Sequence, residues 1–208
     1  MRILRNLETP LSFRKKINVI LDLDNTLIFS IEHSKYPKRK SILHEKPHYF
    51  MDNDYVIYER PDLQDFLDWL HTHFNVMIWS AASPEYVEFI VENILQRGNR
   101  KYEYVLTSNN CEDCQDYFGE DQFKNLRYLW DIHDLPGYGP FNTLIVDDLK
   151  MVSKTQPNNS IQIKSFNTNH KECWKDNELM NAIKPKLEEI LESYEKNIEN
   201  EESFVLVK

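Results

Sequence analysis

The chain has 208 residues and a formal net charge of −9, a size that suits one α/β domain with a full core. An acidic surface repels nucleic acid, so we expect no direct nucleic-acid partner. No apolar run approaches the ~20 residues of a membrane helix, and the first residues lack the apolar core of a secretory signal. The three cysteines are an odd number, which favours reduced thiols. We therefore expect an intracellular protein, nuclear or cytoplasmic, without membrane association.

The first predicted element is a buried strand that ends in two carboxylates. Residues Ile17–Leu21 form an apolar, β-prone run, which is typical of a central strand buried on both faces. Asp22 and Asp24 follow directly. Burying two carboxylates together is costly unless a cation or a proton offsets their charge. We therefore predict that these acids serve chemistry rather than cap a turn.

The next part of the chain alternates between predicted strands and helices. Residues 30–50 are polar and are expected to form an irregular excursion, whereas 75–80 predicts a second buried strand that ends at Ser80. Residues 108–123 are rich in Asp, Asn and Glu, which predicts a loop or small insertion. The other predicted elements are a hairpin at 49–59 with its turn at 52–54, helices at 62–74 and 84–96, a strand at 102–107 and a strand-to-helix segment at 123–130.

The last third of the chain supplies two more strands and the closing helices. A third core strand, Thr143–Val146, ends in Asp147 and Asp148, and a fourth strand is predicted at 161–165. Helical spacing of apolar residues predicts one or two amphipathic helices over 177–198.

The order of these elements predicts the fold class. Strands that alternate with helices favour an α/β protein with a parallel sheet and helices on both faces. The apolar residues 204–207 are expected to add a strand or to dock on a neighbour. The predicted organisation is one domain at 14–196, a lead-in at 1–13 and a C-terminal tail at 197–208.

Three predicted core strands end in chemically reactive side chains. In parallel sheets, functional sites lie at the carboxyl ends of the strands. The strands predicted here end in Asp22 and Asp24, in Ser80, and in Asp147 and Asp148. A divalent cation with oxygen ligands would relieve the repulsion among four carboxylates, and Mg²⁺ suits such ligands. The sequence therefore predicts a magnesium site at this edge of the sheet.

Several ordered motifs resemble one family of phosphotransferases. Asp22, Asp24 and Thr26 match the Asp-x-Asp-x-Thr signature of haloacid-dehalogenase-type (HAD) phosphatases. Over residues 15–195 the chain resembles, within that superfamily, the small C-terminal-domain phosphatases and NLI-interacting-factor-like proteins. The matching stretches are Asp22-Leu-Asp-Asn-Thr-Leu, Glu59-Arg-Pro-Asp-Leu-Gln-Asp-Phe-Leu, Val76-Met-Ile-Trp-Ser-Ala-Ala-Ser, Leu144-Ile-Val-Asp-Asp, Gln156-Pro-x-Asn and Ile163-Lys-Ser-Phe. The resemblance implies a Rossmann-like sheet with a short β-flap and no large cap domain.

The resemblance also implies roles for the four carboxylates. Asp22 is expected to attack phosphorus and form an aspartyl-phosphate. Asp24 is expected to protonate the leaving oxygen and then to deprotonate the attacking water. Asp22, the Asp24 backbone carbonyl and Asp148 are the expected Mg²⁺ ligands, with Asp147 behind them or bridged by water.

Phosphate binding requires hydrogen-bond donors and a cation. The expected phosphate-binding residues are Thr26, Ser80, Ala81 and Lys124. Lys124 is chosen because Phe123-Lys124-Asn125-Leu126 resembles the family's Tyr-Val-Lys-Asp-Leu. The alternatives for this cation are Arg127 and Lys154.

The cysteines leave a second metal site open. Cys111 and Cys114 form a Cys-x-x-Cys pair that could join His170 and Cys173 in a zinc site. Because a second Cys-x-x-Cys pair is missing from the sequence, free thiols are the favoured interpretation.

The predicted function is that of a Mg²⁺-dependent phosphatase acting on phosphoserine or phosphothreonine in a protein or peptide. Only about 35 residues separate Thr26 from Arg60, enough for a β-flap but too few for a large lid, and an open site suits a macromolecular substrate. The RNA polymerase II C-terminal repeat is the expectation at the family level. Three alternatives stay open: a small-molecule or nucleotide phosphatase of the same superfamily, a noncatalytic phosphoprotein-binding module, and a receiver-like domain. The sequence predicts no particular oligomeric state.

Overall fold

The computed structural model describes residues 16–36, 48–52, 54–168, 172–200 and 206–207. Its larger sheet contains β1 (Asn18–Leu21), β5 (Asn75–Trp79), β6 (Val105–Leu106), β7 (Thr143–Asp147) and β8 (Ser160–Gln162). All neighbouring strands pair in parallel, in the order β6-β5-β1-β7-β8. The chain fills one side of β1 first and the other side later, which makes β1 the switch point where sites form in such sheets.

Helices cover both faces of this sheet. They are α1 (Leu63–His73), α2 (Pro84–Ile90), α3 (Ser108–Phe118), α4 (Lys150–Thr155) and α5 (Lys184–Asn200). Single turns of π-helix lie at Val91–Leu95, Tyr128–Ile132 and Leu179–Ile183, and 3-10 turns at His33–Lys35, Glu120–Gln122, Pro157–Asn159 and Cys173–Lys175. None of the described helices is long and apolar enough to cross a membrane.

The burial of β1 explains its central place. All of its residues are buried, as expected for a strand covered on both faces. Val19 and Leu21 belong to one hydrophobic cluster, whereas Ile20 packs in a second cluster with Leu129 and Ile145. The α/β fold with a two-sided parallel sheet, predicted from the sequence, is therefore confirmed.

A second, antiparallel sheet of three strands follows the first loop. It contains β2 (Ile28–Glu32), β3 (His48–Met51) and β4 (Tyr55–Glu59) in the order β2-β4-β3. The predicted hairpin at 49–59 is confirmed as β3 and β4. The prediction of an irregular excursion at 30–50 is wrong where β2 and β3 lie. β2 is a strand because it pairs with β4, with Phe29 opposite Tyr58, and such long-range pairing leaves little local signal.

The predicted loop at 108–123 is wrong over α3. Thr107 and Asn110 form a reciprocal capping box that starts this helix, and Cys111 and Cys114 form its buried side. Asp, Asn and Glu lie on its other positions, so the composition indicates a loop although the caps and the two thiols favour a helix.

The remaining differences concern the ends of elements. The strand predicted at 102–107 is only two residues long, and the helix predicted at 84–96 continues beyond Ile90 as a π turn. No strand lies in the described segment 123–130, and β8 ends at Gln162.

The C-terminal tail docks on its own chain at the residues the structure describes. Leu206 is buried in the core, and the Val207 N–H donates to the Asn158 carbonyl at 3.0 Å. Residues 201–205 lie outside the described residues, as do the predicted lead-in and its boundary at 13.

Candidate active site

The order of the strands brings the predicted residues to one edge of the sheet. Asp22 follows β1, Ser80 follows β5, and Asp147 ends β7, while β1 lies between the other two strands. The Asp22 N–H donates to the Val146 carbonyl at 3.1 Å, which extends the β1–β7 pairing to the first carboxylate. The side chains that the sequence places at three separate positions are therefore neighbours.

A buried lysine joins two of these carboxylates. Lys124 Nζ donates to Asp22 Oδ1 at 2.6 Å and to Asp147 Oδ2 at 2.8 Å, and Lys124 is only 2 % exposed. Burial lowers the pKa of Lys124, but the charges of Asp22 and Asp147 outweigh it and raise this pKa above its ordinary value. The lysine is therefore held as a cation beside Asp22.

Three carboxylates lie close enough to share a metal ion. One oxygen each from Asp22, Asp147 and Asp148 lies within 4.8 Å of the others, and this is the one such group in the described part of the chain. Burial and the charge of Asp22 raise the pKa of both Asp147 and Asp148. One ammonium group cannot balance three carboxylates, so this set of oxygen donors fits a divalent cation such as Mg²⁺.

The two carboxylates at the end of β7 have different surroundings. Asp147 is fully buried, and its Oδ1 accepts from the Leu149 N–H at 2.8 Å while its Oδ2 accepts from Lys124. Asp148 is partly exposed. The more accessible Asp148 is thus the better placed of the two to contact a metal ion directly.

Two hydroxyl groups hold the Asp24 carboxylate. Its Oδ1 accepts from the Tyr86 hydroxyl at 2.7 Å and from the Ser30 hydroxyl at 3.2 Å. Burial raises the pKa of Asp24, as does the charge of Asp22, although the hydroxyl contacts and Lys124 act in the opposite direction. A carboxyl group with a raised pKa keeps its proton to a higher pH than an ordinary aspartate does, which suits a proton donor.

The predicted phosphate-binding residues occupy different positions. Ser80 is buried at the rim, and its Oγ accepts from the Ala82 N–H at 3.1 Å, while Ala81 between them is exposed. Thr26 is fully buried, and its Oγ1 accepts from the Asp148 N–H at 3.2 Å. Thr26 therefore supports the backbone at Asp148, directly after β7. Its binding of phosphate stays a prediction.

Comparison with known proteins identifies the family. The family model for NLI interacting factor-like phosphatases matches residues 17–199. The chain belongs to this family. A putative CTD phosphatase-like protein 355R from Invertebrate iridescent virus 6 is 37 % identical over 172 residues, which cover 78 % of this chain and 93 % of the viral protein. The corresponding protein of Invertebrate iridescent virus 3 is 32 % identical over 182 residues, covering 82 % and 95 %.

Solved structures show the same fold. A mutant of the fission yeast RNA polymerase II CTD phosphatase Fcp1, bound to beryllium fluoride, superposes with a TM-score of 0.55 at 17 % identity. The match covers 90 % of this chain and 53 % of that chain, so this family member spans about half the length of the yeast protein. At this identity the likeness shows the HAD-type fold alone, and it confirms the fold that the sequence motifs imply.

Arg127 and Lys154, the alternatives to Lys124, lie on the surface of the protein. Arg127 pairs with Asp131 at 2.6 Å and is 62 % exposed at its side chain, and Lys154 is exposed on α4. Neither contacts the carboxylates in the hydrogen bonds and ion pairs that the structure gives for the described residues.

The thiols do not assemble a metal site among the described residues. Cys111 and Cys114 are buried and form no disulfide, and the interpretation that they bind no zinc stays a prediction. Burial raises the pKa of Cys111, and it raises the pKa of Cys114 to about 11, so both are weak nucleophiles. His170 lies outside the described residues, so the four-residue zinc set stays a prediction.

Three side chains around the site were not predicted from the sequence. Tyr86 and Ser30 hold Asp24, and Gln156 contacts the Lys124 carbonyl and the Leu126 N–H. Tyr86 is a buried position on an amphipathic helix and Ser30 lies in a strand, so neither has a spacing that distinguishes it from ordinary residues. Gln156 lies in the Gln-Pro-x-Asn motif, which marked the family but indicated no contact.

Proposed function

We propose that this protein is a Mg²⁺-dependent phosphatase that hydrolyses phosphoserine or phosphothreonine in proteins through an aspartyl-phosphate on Asp22. The observation that supports this most strongly is the surroundings of Asp22. Its carboxylate lies 2.6 Å from the buried Lys124 ammonium and within 4.8 Å of oxygens of Asp147 and Asp148. A nucleophile that meets a phosphate dianion needs this concentration of positive charge from a lysine and a metal.

In the first step, an Asp22 carboxylate oxygen attacks phosphorus and the bond to the serine or threonine oxygen breaks. Asp24 gives its proton to that leaving oxygen, consistent with its raised pKa. In the second step, Asp24 takes a proton from water as the water oxygen attacks phosphorus, which releases inorganic phosphate and restores Asp22.

The remaining residues bind and orient the phosphoryl group. Asp22, the Asp24 backbone carbonyl and Asp148 would hold Mg²⁺, with Asp147 held back by Lys124 and the Leu149 N–H. Bound Mg²⁺ supplies positive charge that neutralises the phosphoryl oxygens. Ser80 and the exposed residue Ala81 would provide hydrogen-bond donors on the side of β1 opposite to Asp147 and Asp148.

A protein substrate suits a site whose described surroundings include no large lid. The described part of the excursion after Asp24 is a sheet of three short strands, and Leu149, beside the acidic pair, is 43 % exposed. A peptide can lie across this edge of the sheet, and the peptide residues that flank the phosphate then supply binding energy for alignment. A small phosphate ester makes few such contacts and gains little binding energy from them. Several relatives carry the name CTD phosphatase, so the RNA polymerase II C-terminal repeat is the first protein substrate to test.

The test compares kcat/KM for phosphoserine peptides with values for nucleotides and sugar phosphates, in Mg²⁺ and in EDTA. We expect some phosphopeptide to exceed every metabolite by at least about tenfold, or about 1.4 kcal/mol, and EDTA to abolish turnover. Faster turnover of metabolites would contradict the proposal of a protein substrate, but it would be compatible with the aspartyl-phosphate mechanism on Asp22. Full activity in EDTA would contradict the role of the metal. The Asp22→Asn variant is the control for contaminating phosphatases.

A further inference from the structure

Lys124 lies in a segment without regular secondary structure. Residues 123–126 connect the 3-10 turn Glu120–Gln122 to the π turn Tyr128–Ile132. Peptide groups in such a segment have no helix or sheet partners, so other groups must bind them. The precise distances from Lys124 Nζ to two carboxylates therefore depend on whatever holds this backbone.

One side chain holds the backbone that directly follows the lysine. Gln156 Nε2 donates to the Lys124 carbonyl at 2.8 Å, and Gln156 Oε1 accepts from the Leu126 N–H at 2.9 Å. A primary amide offers a donor and an acceptor on one planar group, which a lysine, a glutamate or a hydroxyl cannot offer in this geometry. The thiol of Cys114 supports the preceding turn, since it donates to the Gln122 carbonyl at 2.9 Å.

Gln156 also connects residues 123–126 to Asp147 and Asp148. It directly follows α4, and α4 begins two residues after Asp148. The second amide of the same motif has a different task. Asn159 Nδ2 donates to the Pro140 and Thr143 carbonyls at 2.7 and 2.8 Å and so fixes the start of β7, far from the lysine along the chain.

We propose that Gln156 is a positioning residue for the reaction, which holds the Lys124 backbone so that Nζ lies between Asp22 and Asp147. Its kinetic consequence rests on the proposed function. A catalytic group displaced by about 1 Å can cost up to about a hundredfold in rate. The effect should fall on kcat, because Lys124 meets the phosphoryl group in the transition state, and should leave KM nearly unchanged.

The test uses two near-isosteric variants of the same motif, Gln156→Met and Asn159→Leu. On an aryl phosphate with Mg²⁺, Gln156→Met should lower kcat about tenfold with KM within about twofold. Asn159→Leu should melt at a lower temperature and keep kcat within about twofold. Equal losses of kcat in the two variants would overturn the inference, because they would indicate a general loss of structure.

A double-mutant cycle with Lys124→Met separates positioning from support of the fold. If Gln156 acts through Lys124, adding Gln156→Met to Lys124→Met should change kcat by less than about twofold. The same tenfold loss in both backgrounds would overturn the inference.

A second measurement does not depend on turnover. Hydrogen exchange of the Leu126 amide should be at least about tenfold faster in Gln156→Met than in Asn159→Leu. Equal exchange would overturn the inference. If the Leu126 amide exchanges as predicted but the wild-type protein hydrolyses no phosphate ester, the result would contradict the proposed function instead.

Discussion

Asp22 and Asp147 both contact the Lys124 ammonium, and an Asp148 oxygen lies within 4.8 Å of oxygens of both, so without a metal ion the site carries excess negative charge. Burial and the charge of Asp22 raise the pKa of Asp148, as expected where negative charge is in excess. Removing one charge should therefore stabilise the metal-free protein, although under the proposed function it also removes a metal ligand.

We predict that Asp148→Asn raises the melting temperature in EDTA by about 2–4 °C, the shift that about 1 kcal/mol produces in a domain of this size. The increase in melting temperature on adding Mg²⁺ should shrink or vanish, and turnover should fall at least about a hundredfold. Scanning calorimetry with and without Mg²⁺ checks this. The control is Asp65→Asn, an exposed aspartate on α1, which should preserve the response to Mg²⁺. A Mg²⁺ response in Asp148→Asn equal to that of the wild type would contradict the assignment.

The residues of the site differ in how well the sequence reveals them. Asp22, Asp24, Asp147 and Asp148 are conspicuous because carboxylates at the ends of buried strands are costly. Lys124 has no such signal, since a single lysine in a polar segment resembles a solvated one, and only the family resemblance selects it. Contacts such as that between Tyr86 and Asp24 depend on two elements that are distant in the chain.

At the scale of elements, the buried Arg60 ties the small antiparallel sheet to the loop that follows β1. It follows β4, and its guanidinium donates to the Thr26 carbonyl at 2.9 Å and to the Lys164 carbonyl at 2.8 Å. It also forms a bidentate pair with Asp176, with distances of 2.8 and 2.9 Å. One fully buried side chain therefore joins three separate segments around the site.

We predict that Arg60→Met lowers the free energy of unfolding by about 3–5 kcal/mol, because it leaves Asp176 and two carbonyls without their partner. Arg60→Lys should recover little, since an ammonium cannot form the two-pronged contact. Urea denaturation measures both. The control is Arg127→Met, which removes an exposed ion pair with Asp131 and should cost less than about 1 kcal/mol. Similar losses at positions 60 and 127 would contradict this account of Arg60.

Elements were predictable where local sequence decides them. β1, β5 and β7 are apolar runs buried on both faces, and this pattern is visible in the sequence. β2 was not predictable, because its pairing with β4 forms across a long excursion. α3 was missed because its helix depends on a capping box and on two buried thiols rather than on an apolar stripe.

For the whole molecule, the acidic rim gives stability an unusual dependence on pH. Burial and neighbouring charge raise the pKa of Asp24 and Asp148, and of Asp147 to about 6. The folded protein thus binds these protons more tightly than the unfolded chain does. The resulting stabilisation is fully present below the ordinary pKa near 3.8 and is lost as the pH rises through the raised values.

We predict that the melting temperature of the protein in EDTA falls as the pH rises from about 5 to about 7.5. Saturating Mg²⁺ should flatten this fall, because the cation binds the ionised carboxylates and replaces the protons. The slope in EDTA should also be smaller in Asp148→Asn. A melting temperature in EDTA that rises over this range would contradict the charge balance described for the site.

The organisation of the whole chain was predictable in part. The order of strands and helices predicted the parallel sheet, and Leu206 shows that the apolar tail docks on its own core. Whether 14–196 is one domain with separate ends stays a prediction, because residues 1–15 and 201–205 lie outside the described part of the chain.

The central claim is that Asp22 carries the phosphoryl group during turnover. Asp24→Asn should slow the second step, while an aryl phosphate still drives the first step because its leaving oxygen needs little protonation. The decisive measurement is mass spectrometry of peptides from Asp24→Asn protein, quenched in acid during turnover of an aryl phosphate with Mg²⁺. We predict one phosphoryl group on Asp22, and none in Asp22→Asn/Asp24→Asn. A phosphoryl group on another residue, or turnover with unmodified Asp22 throughout, would contradict the account.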